Sequence, residues 1–187
     1  IEIKNLVKKV LEDPSKSVVA KRVKRSEGFF FQLLYQIHKL LTFFFTGKNI
    51  NFGNYSILTR TDVGKLSSKA SLWSSFSGSV KKHLQNFNEI NSIRGLRYYG
   101  PSQMSFFNLV IHSLSIIAVF KQQVFLRSTV LIIVIVFLKS YLGSLLAIFI
   151  FLIVLFNLFI FIISTRESDK DLINSHNNLI EIKKIVH

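Results

Sequence analysis

The sequence has no cysteine, two prolines, one methionine, and ten acidic residues among 187. Without cysteine there is no disulfide framework and no thiolate metal site. The acids are scattered, with none paired across a plausible cleft. A metal site cannot be assembled from this chain alone. There is no Gly-rich phosphate loop and no His-Glu metal spacing. His38, His83, His112, His176 and His187 are dispersed and read as surface or interface histidines. A self-contained active site is therefore not legible. There is no signal peptide, because residues 1 to 10 are charged and amphipathic. The chain begins at Ile1, which reads as a chain whose beginning is absent.

Positive charge and apolar surface are abundant. The net charge is +14, 49% of residues are hydrophobic, and nineteen are Phe. The length allows about one domain. Residues 1 to 104 hold 17 Lys and Arg against 6 Asp and Glu, whereas residues 128 to 164 hold only Lys139. A basic head on an apolar tail predicts a cytoplasmic part bound to a membrane. Nucleic acid is the other polyanion that such charge attracts. It is set aside because the tail calls for a bilayer and no recognition motif is present.

The apolar spacing of Ile3, Leu6, Val7, Val10 and Leu11 predicts a helix over 2–12, stopped by Pro14. Ser17 to Ala20 predicts a short strand that runs into the basic segment Lys21-Arg22-Val23-Lys24-Arg25. Residues 29–45 are apolar with interspersed Gln32, Gln36, His38 and Lys39, which predicts a helix lying in the membrane interface; a soluble core helix is the alternative. Residues 51–59 alternate as a strand. Thr61 and Asp62 open a helix with Val63 and Leu66 inward, and 72–84 reads as one further helix through Trp73, Phe76, Val80 and Leu84. Ile90 to Tyr99 reads as a strand, or as a hairpin bent at Gly95.

The stretch Arg94-Gly95-Leu96-Arg97-Tyr98-Tyr99-Gly100-Pro101-Ser102-Gln103-Met104 joins the basic part to the apolar part. It carries two arginines and a Gly-Pro-Ser turn at the depth of lipid phosphates. Arginine grips phosphate in a bidentate way. A second interface helix is expected over 105–123. Residues 124–164 then read as two transmembrane helices, Val124 to Leu138 and Leu145 to Ser164, turned at Gly143, with Arg127 able to snorkel to the surface. Both ends of this hairpin would be cytoplasmic. Residues 165–187 form a charged tail with a weakly amphipathic pattern at Leu172, Leu179 and Val186.

Several pieces occur in a telling order. They are Lys21-Arg22-x-Lys24-Arg25, Gly28-Phe29-Phe30 with Tyr35, Gly53-Asn54-Tyr55-Ser56, and Leu72-Trp73. Arg94-Gly95-x-Arg97-Tyr98-x-Gly100-x-Ser102-x-Met104 and Leu109-Val110-x-His112-Ser113-Leu114-Ser115 follow. Over roughly residues 1 to 127 the chain resembles the second half of membrane-bound family 2 glycosyltransferases, relatives of dolichol-phosphate mannose synthase and polyprenyl-phosphate sugar transferases. The resemblance implies an α/β remnant of a GT-A, Rossmann-like domain over 1–104, with two amphipathic interface helices and a two-helix transmembrane hairpin. It also implies transfer of a sugar from a nucleotide sugar to a polyprenyl phosphate or other membrane-associated acceptor. The divalent metal (Mg or Mn) and the nucleotide sugar would be held by a half that this chain lacks.

Phosphate- or acceptor-binding residues implied in this way are Arg22, Arg25, Asn54, Ser56, Arg94, Arg97, Gly100 and Ser102. Two positions depart from the family pattern. Gln103 stands where relatives usually carry Lys after the Ser, which removes one phosphate contact. Asn54 stands where some carry Asp. Asn takes up no proton at neutral pH, but an ionised lipid phosphate needs little base catalysis. The competing reading is a non-catalytic basic membrane anchor or a degenerate fragment.

Overall fold

The computed structural model describes residues 2–24, 29–93 and 105–175. The chain is a mixed α/β unit with a small three-stranded sheet, joined to a bundle of apolar helices.

Helix α1 (Glu2–Glu12) ends before Pro14 and feeds β1 (Ser17–Lys24). Strand β1 is the middle of the sheet, in the order β2-β1-β3. Strand β2 (Phe52–Ile57) runs antiparallel to β1, and β3 (Phe87–Ile93) runs parallel to it. Parallel pairing requires a crossover; here residues 29–84 provide it. Val18, Val19 and Ala20 are almost wholly buried, as a central strand demands. Both ladders are irregular, between Val19 and Lys21 and between Arg22 and Lys24. Strand β1 is longer than the sequence suggests, so Arg22 lies within the strand and not in a loop after it.

Helix α2 (Phe29–Thr46) ends at Gly47, whose φ of 69° supplies the left-handed cap. Helix α3 (Arg60–Ser67) starts at Thr59, whose hydroxyl accepts the Asp62 N–H at 3.2 Å. Asp62 takes the inward position that Val63 was expected to hold, and Val63 is exposed. The reason is Ser17: its hydroxyl donates to Asp62 Oδ2 at 2.6 Å and accepts the Thr59 N–H at 3.0 Å. The buried carboxylate is thus hydrogen-bonded, as a polar group in a core must be.

The helix expected over 72–84 is broken in two, α4 (Ser71–Ser74) and α5 (Phe76–His83). Ser75 is extended between them, and its hydroxyl accepts the Gly78 N–H at 3.2 Å. Serine gains more as an N-cap than inside a helix, and four serines and a glycine crowd 74–79. Trp73 consequently points outward and is exposed. Within this pair Ser79 Oγ donates to Ser71 Oγ at 2.7 Å, and Ser71 Oγ lies 3.1 Å from His83 Nε2.

Helix α6 (Phe106–Ala118) begins at Ser105, whose hydroxyl accepts the Asn108 N–H. Its C-terminal end is shared between two cores. Ile116, with Val119 and Phe120 just beyond the helix, packs with Val19, Phe52, Leu66 and Val80 on the sheet side. Ile117 and Ala118 pack with Phe45, Val124, Ile160 and Ile163 on the bundle side. The chain then bends by 88° into α7 (Lys121–Phe137). The short α8 (Lys139–Leu142) and Gly143, at φ 53°, lead into α9 (Leu145–Ser164), which packs against α7. The last described helix is α10 (Asp169–Asn174); the amphipathic pattern expected at Leu179 and Val186 lies outside the described residues.

Among the described residues one helix, beginning at Leu145, is long and apolar enough to cross a membrane by length and composition. At 1.5 Å per residue the twenty residues of α9 reach about 30 Å, the thickness of a hydrocarbon core. Helix α7 passes that test only together with α6, as a bent pair. Both α7 and α9 carry large side chains open to their surroundings, Phe137 being 83% exposed. So contiguous an apolar surface is unusual on a soluble monomer. Arg127 is exposed on α7 and reaches the end of α2. Its Nη1 donates to the Phe44 carbonyl at 2.9 Å, and its guanidinium lies over Gly47. A cation there complements the negative end of α2.

Candidate phosphate-binding site

Strand β1 delivers Arg22 to the edge of the sheet where β2 begins. The Arg22 N–H donates to the Asn51 carbonyl at 2.9 Å, which ties β1 to the residue just before β2. The Arg22 guanidinium then lies directly on Gly53. A Cβ at Gly53 would collide with it. Glycine inside an otherwise aromatic and β-branched strand often marks a close approach of this kind. Here the group that approaches is a guanidinium.

Asn54 follows Gly53 and is exposed. Ser56 is three residues farther along β2, opposite Val19. On the other side stands α6. Phe52 and Ile116 belong to one core, and His112 precedes Ile116 by one helical turn. His112 lies within electrostatic reach of Arg22. Although the residue keeps an exposed surface, burial by its neighbours, and after it the Arg22 charge, push its imidazole below the ordinary histidine range. A neutral imidazole still offers one N–H donor.

The geometry therefore sets the Arg22 guanidinium on Gly53 with His112 of α6 within electrostatic reach, while Asn54, the next residue of the strand, points to the opposite face. Such a constellation can hold an anion. The guanidinium supplies charge and a planar fork, and the imidazole supplies a further donor. Arg25, Arg94, Arg97, Gly100 and Ser102 lie outside the described residues. His112 did not stand out in the sequence among five scattered histidines. The signal that marks the place is Gly53, the one residue without a side chain in β2.

Among the described residues no group of three His, Asp or Glu side chains is placed to hold a metal ion. The chain matches no family model, and no characterised protein or solved structure is significantly similar to it.

Proposed function

We propose that the chain is the acceptor-side, membrane-anchored part of a glycosyltransferase that moves a sugar from a nucleotide sugar onto a lipid phosphate. The observation that carries this reading is the Arg22 guanidinium seated on Gly53, with His112 of α6 within its electrostatic reach. The sequence resemblance implies a phosphate ligand at Arg22, and the packing of its guanidinium on a glycine supports that reading.

In this reading α2 and α6 lie in the membrane interface, the 1–104 segment is a GT-A remnant, and α7 and α9 form a transmembrane hairpin. Both ends of the hairpin face the cytoplasm. The acceptor phosphate enters beside Arg22 with its prenyl chain directed along the exposed apolar side of α6, where Phe107 is 77% exposed. A phosphate oxygen attacks the anomeric carbon, and the bond from that carbon to the nucleoside diphosphate breaks. Arg22 offsets the acceptor charge. Asn54 takes no proton and is assigned no direct contact with that phosphate. Arg97, in the segment that precedes α6 in sequence, is assigned to the same phosphate, with Arg25, Arg94, Gly100 and Ser102 supporting it. Nucleotide and metal binding belong to residues outside this chain, and no step here runs through a metal.

The test is binding of a short-chain prenyl phosphate to the full chain in nanodiscs, with the prenyl alcohol as control. The phosphate should bind and the alcohol should not. Arg22→Ala should weaken binding about tenfold to a hundredfold, the scale of a lost charge-assisted hydrogen bond of ~1.5–3 kcal/mol. Equal binding of alcohol and phosphate, or indifference to Arg22→Ala, would rule the acceptor site out. Sugar transfer from a nucleotide sugar by this chain alone would refute the assignment of the donor site to a separate half.

A further inference from the structure

A second basic cleft lies away from Arg22, between the end of α5, the start of β3 and the segment after α2. Its volume is about 530 Å³, and it is lined by Lys48, Lys81, Lys82, Gln85, Phe87 and Glu89, with Leu84 at its base. The cleft is fixed to the start of α7 at two points. Lys82 Nζ donates to the Val119 carbonyl at 2.7 Å, in the bend between α6 and α7. Lys48 follows Gly47, on which the Arg127 guanidinium of α7 rests. The first fully open apolar side chain of α7 is Leu126, 68% exposed, one position before Arg127. The cleft therefore flanks the level at which the chain passes from polar to apolar surroundings.

Its charge is unbalanced. Lys81 Nζ stands 5.3 Å from the centre of the Phe87 ring, a cation–π contact that holds the ammonium at the wall. Lys82 donates to Val119, and the Glu167 and Asp169 carboxylates act on its charge from outside the lining. The one acid in the lining, Glu89, is paired with Lys21 at 3.4 Å, so its charge is offset from outside the cleft. Gln85 adds a neutral donor. Three ammonium groups around one cavity draw an anion, and lysine binds phosphate as a point charge without demanding one orientation.

We propose that this cleft binds the phosphate of an anionic ligand at the membrane surface, with the phosphodiester of an acidic phospholipid headgroup and a free phosphate ion as the two sources of that chemistry. The site is separate from the Arg22 site and does not depend on the transferase reading. Occupied by a headgroup, it would hold the sheet domain against the bilayer at a fixed height.

The experiment uses the full chain in neutral detergent, titrated with short-chain phosphatidylglycerol, with phosphatidylcholine as control and inorganic phosphate as competitor. Phosphatidylglycerol should bind saturably at one site and phosphatidylcholine should not. The double variant Lys48→Gln/Lys81→Gln should weaken binding at least tenfold. Lys4→Gln/Lys8→Gln on α1 removes the same charge elsewhere and should change it less than twofold. Circular dichroism of both variants should match the parent. Competition by inorganic phosphate at comparable concentration would assign the cleft to the free ion; its failure to compete would assign it to the lipid. Equal weakening by the two double variants would overturn the proposal, because binding would then follow total charge and not the cleft. Absence of saturable phosphatidylglycerol or phosphate binding would overturn it as well.

Discussion

Gly53→Ala is a test of geometry, because it adds one methyl and removes no functional group. The new Cβ collides with the Arg22 guanidinium, while ordinary carbon contacts lie at about 3.5–4.0 Å. The obstacle is the far end of a flexible side chain, so the strand can stay in place and the guanidinium must move. Misplacement by ~1 Å can cost up to about 10²-fold when a group must meet its target in one geometry. The ceiling is the effect of Arg22→Ala, about 1.5–3 kcal/mol for a hydrogen bond to a charged group. Prenyl phosphate binding should therefore weaken about tenfold or more. Stability should not fall in parallel, since Ala is favoured over Gly inside a strand by roughly 0.5–1 kcal/mol. Calorimetric titration and a thermal melt of the same nanodisc sample separate the two effects. In an Arg22→Ala background the added methyl should have no further effect on binding, because its target is gone. Unchanged binding in Gly53→Ala, or an equal loss in both backgrounds, would show that the guanidinium on Gly53 has no part in holding phosphate.

Ser17→Ala strips the Asp62 carboxylate and the Thr59 N–H of a shared buried hydroxyl and should destabilise the chain by about 1.5–3 kcal/mol, whereas Ser67→Ala on the exposed side of α3 should stay within about 0.5 kcal/mol in the same denaturant titration. Burial, and after it the Lys82 and Lys69 charges, hold the His83 imidazole below its ordinary value of 6.5. The unfolded chain then takes up the proton more readily, so the contribution of this residue is intact above pH 6.5 and is lost as pH falls through the folded value. The melting temperature should drop on acidification through that window, and His83→Gln should remove part of the drop; an unchanged slope would show that His83 does not carry it. Reporter fusions at Lys121 and Lys170 should both read cytoplasmic and one at Tyr141 the opposite, as a hairpin of α7 and α9 requires. Opposite signals at Lys121 and Lys170 would mean an odd number of crossings.

What the sequence disclosed depended on how each element is stabilised. Helix α9 was legible because twenty residues of nearly pure hydrocarbon have few alternatives. Helix α1 was legible because its apolar residues repeat on one face, even though Ile3 and Leu11 remain largely exposed. The misreadings fall where a local polar contact outweighs the apolar period. Ser75 breaks an apparently continuous helix by capping its second half, and Ser17 draws Asp62 into a place patterned for Val63. The partner of Arg127 was not legible, because periodicity is silent about the carbonyls left open at the end of a helix eighty residues earlier. The surroundings of the two proposed anion sites were hidden for the same reason, although Arg22 itself was named from the sequence. Arg22 meets Gly53 only through strand pairing, and His112 reaches them only because α6 packs on that sheet. The cleft gathers Lys48, Lys81 and Lys82 from segments with no common motif. Charge composition announced an affinity for anions, but a place for one exists only where pairing, capping and packing bring cations to a shared wall. The contrast between Lys48→Gln/Lys81→Gln and Lys4→Gln/Lys8→Gln separates the two: the net charge is the same in both, and only the first pair lines the cleft.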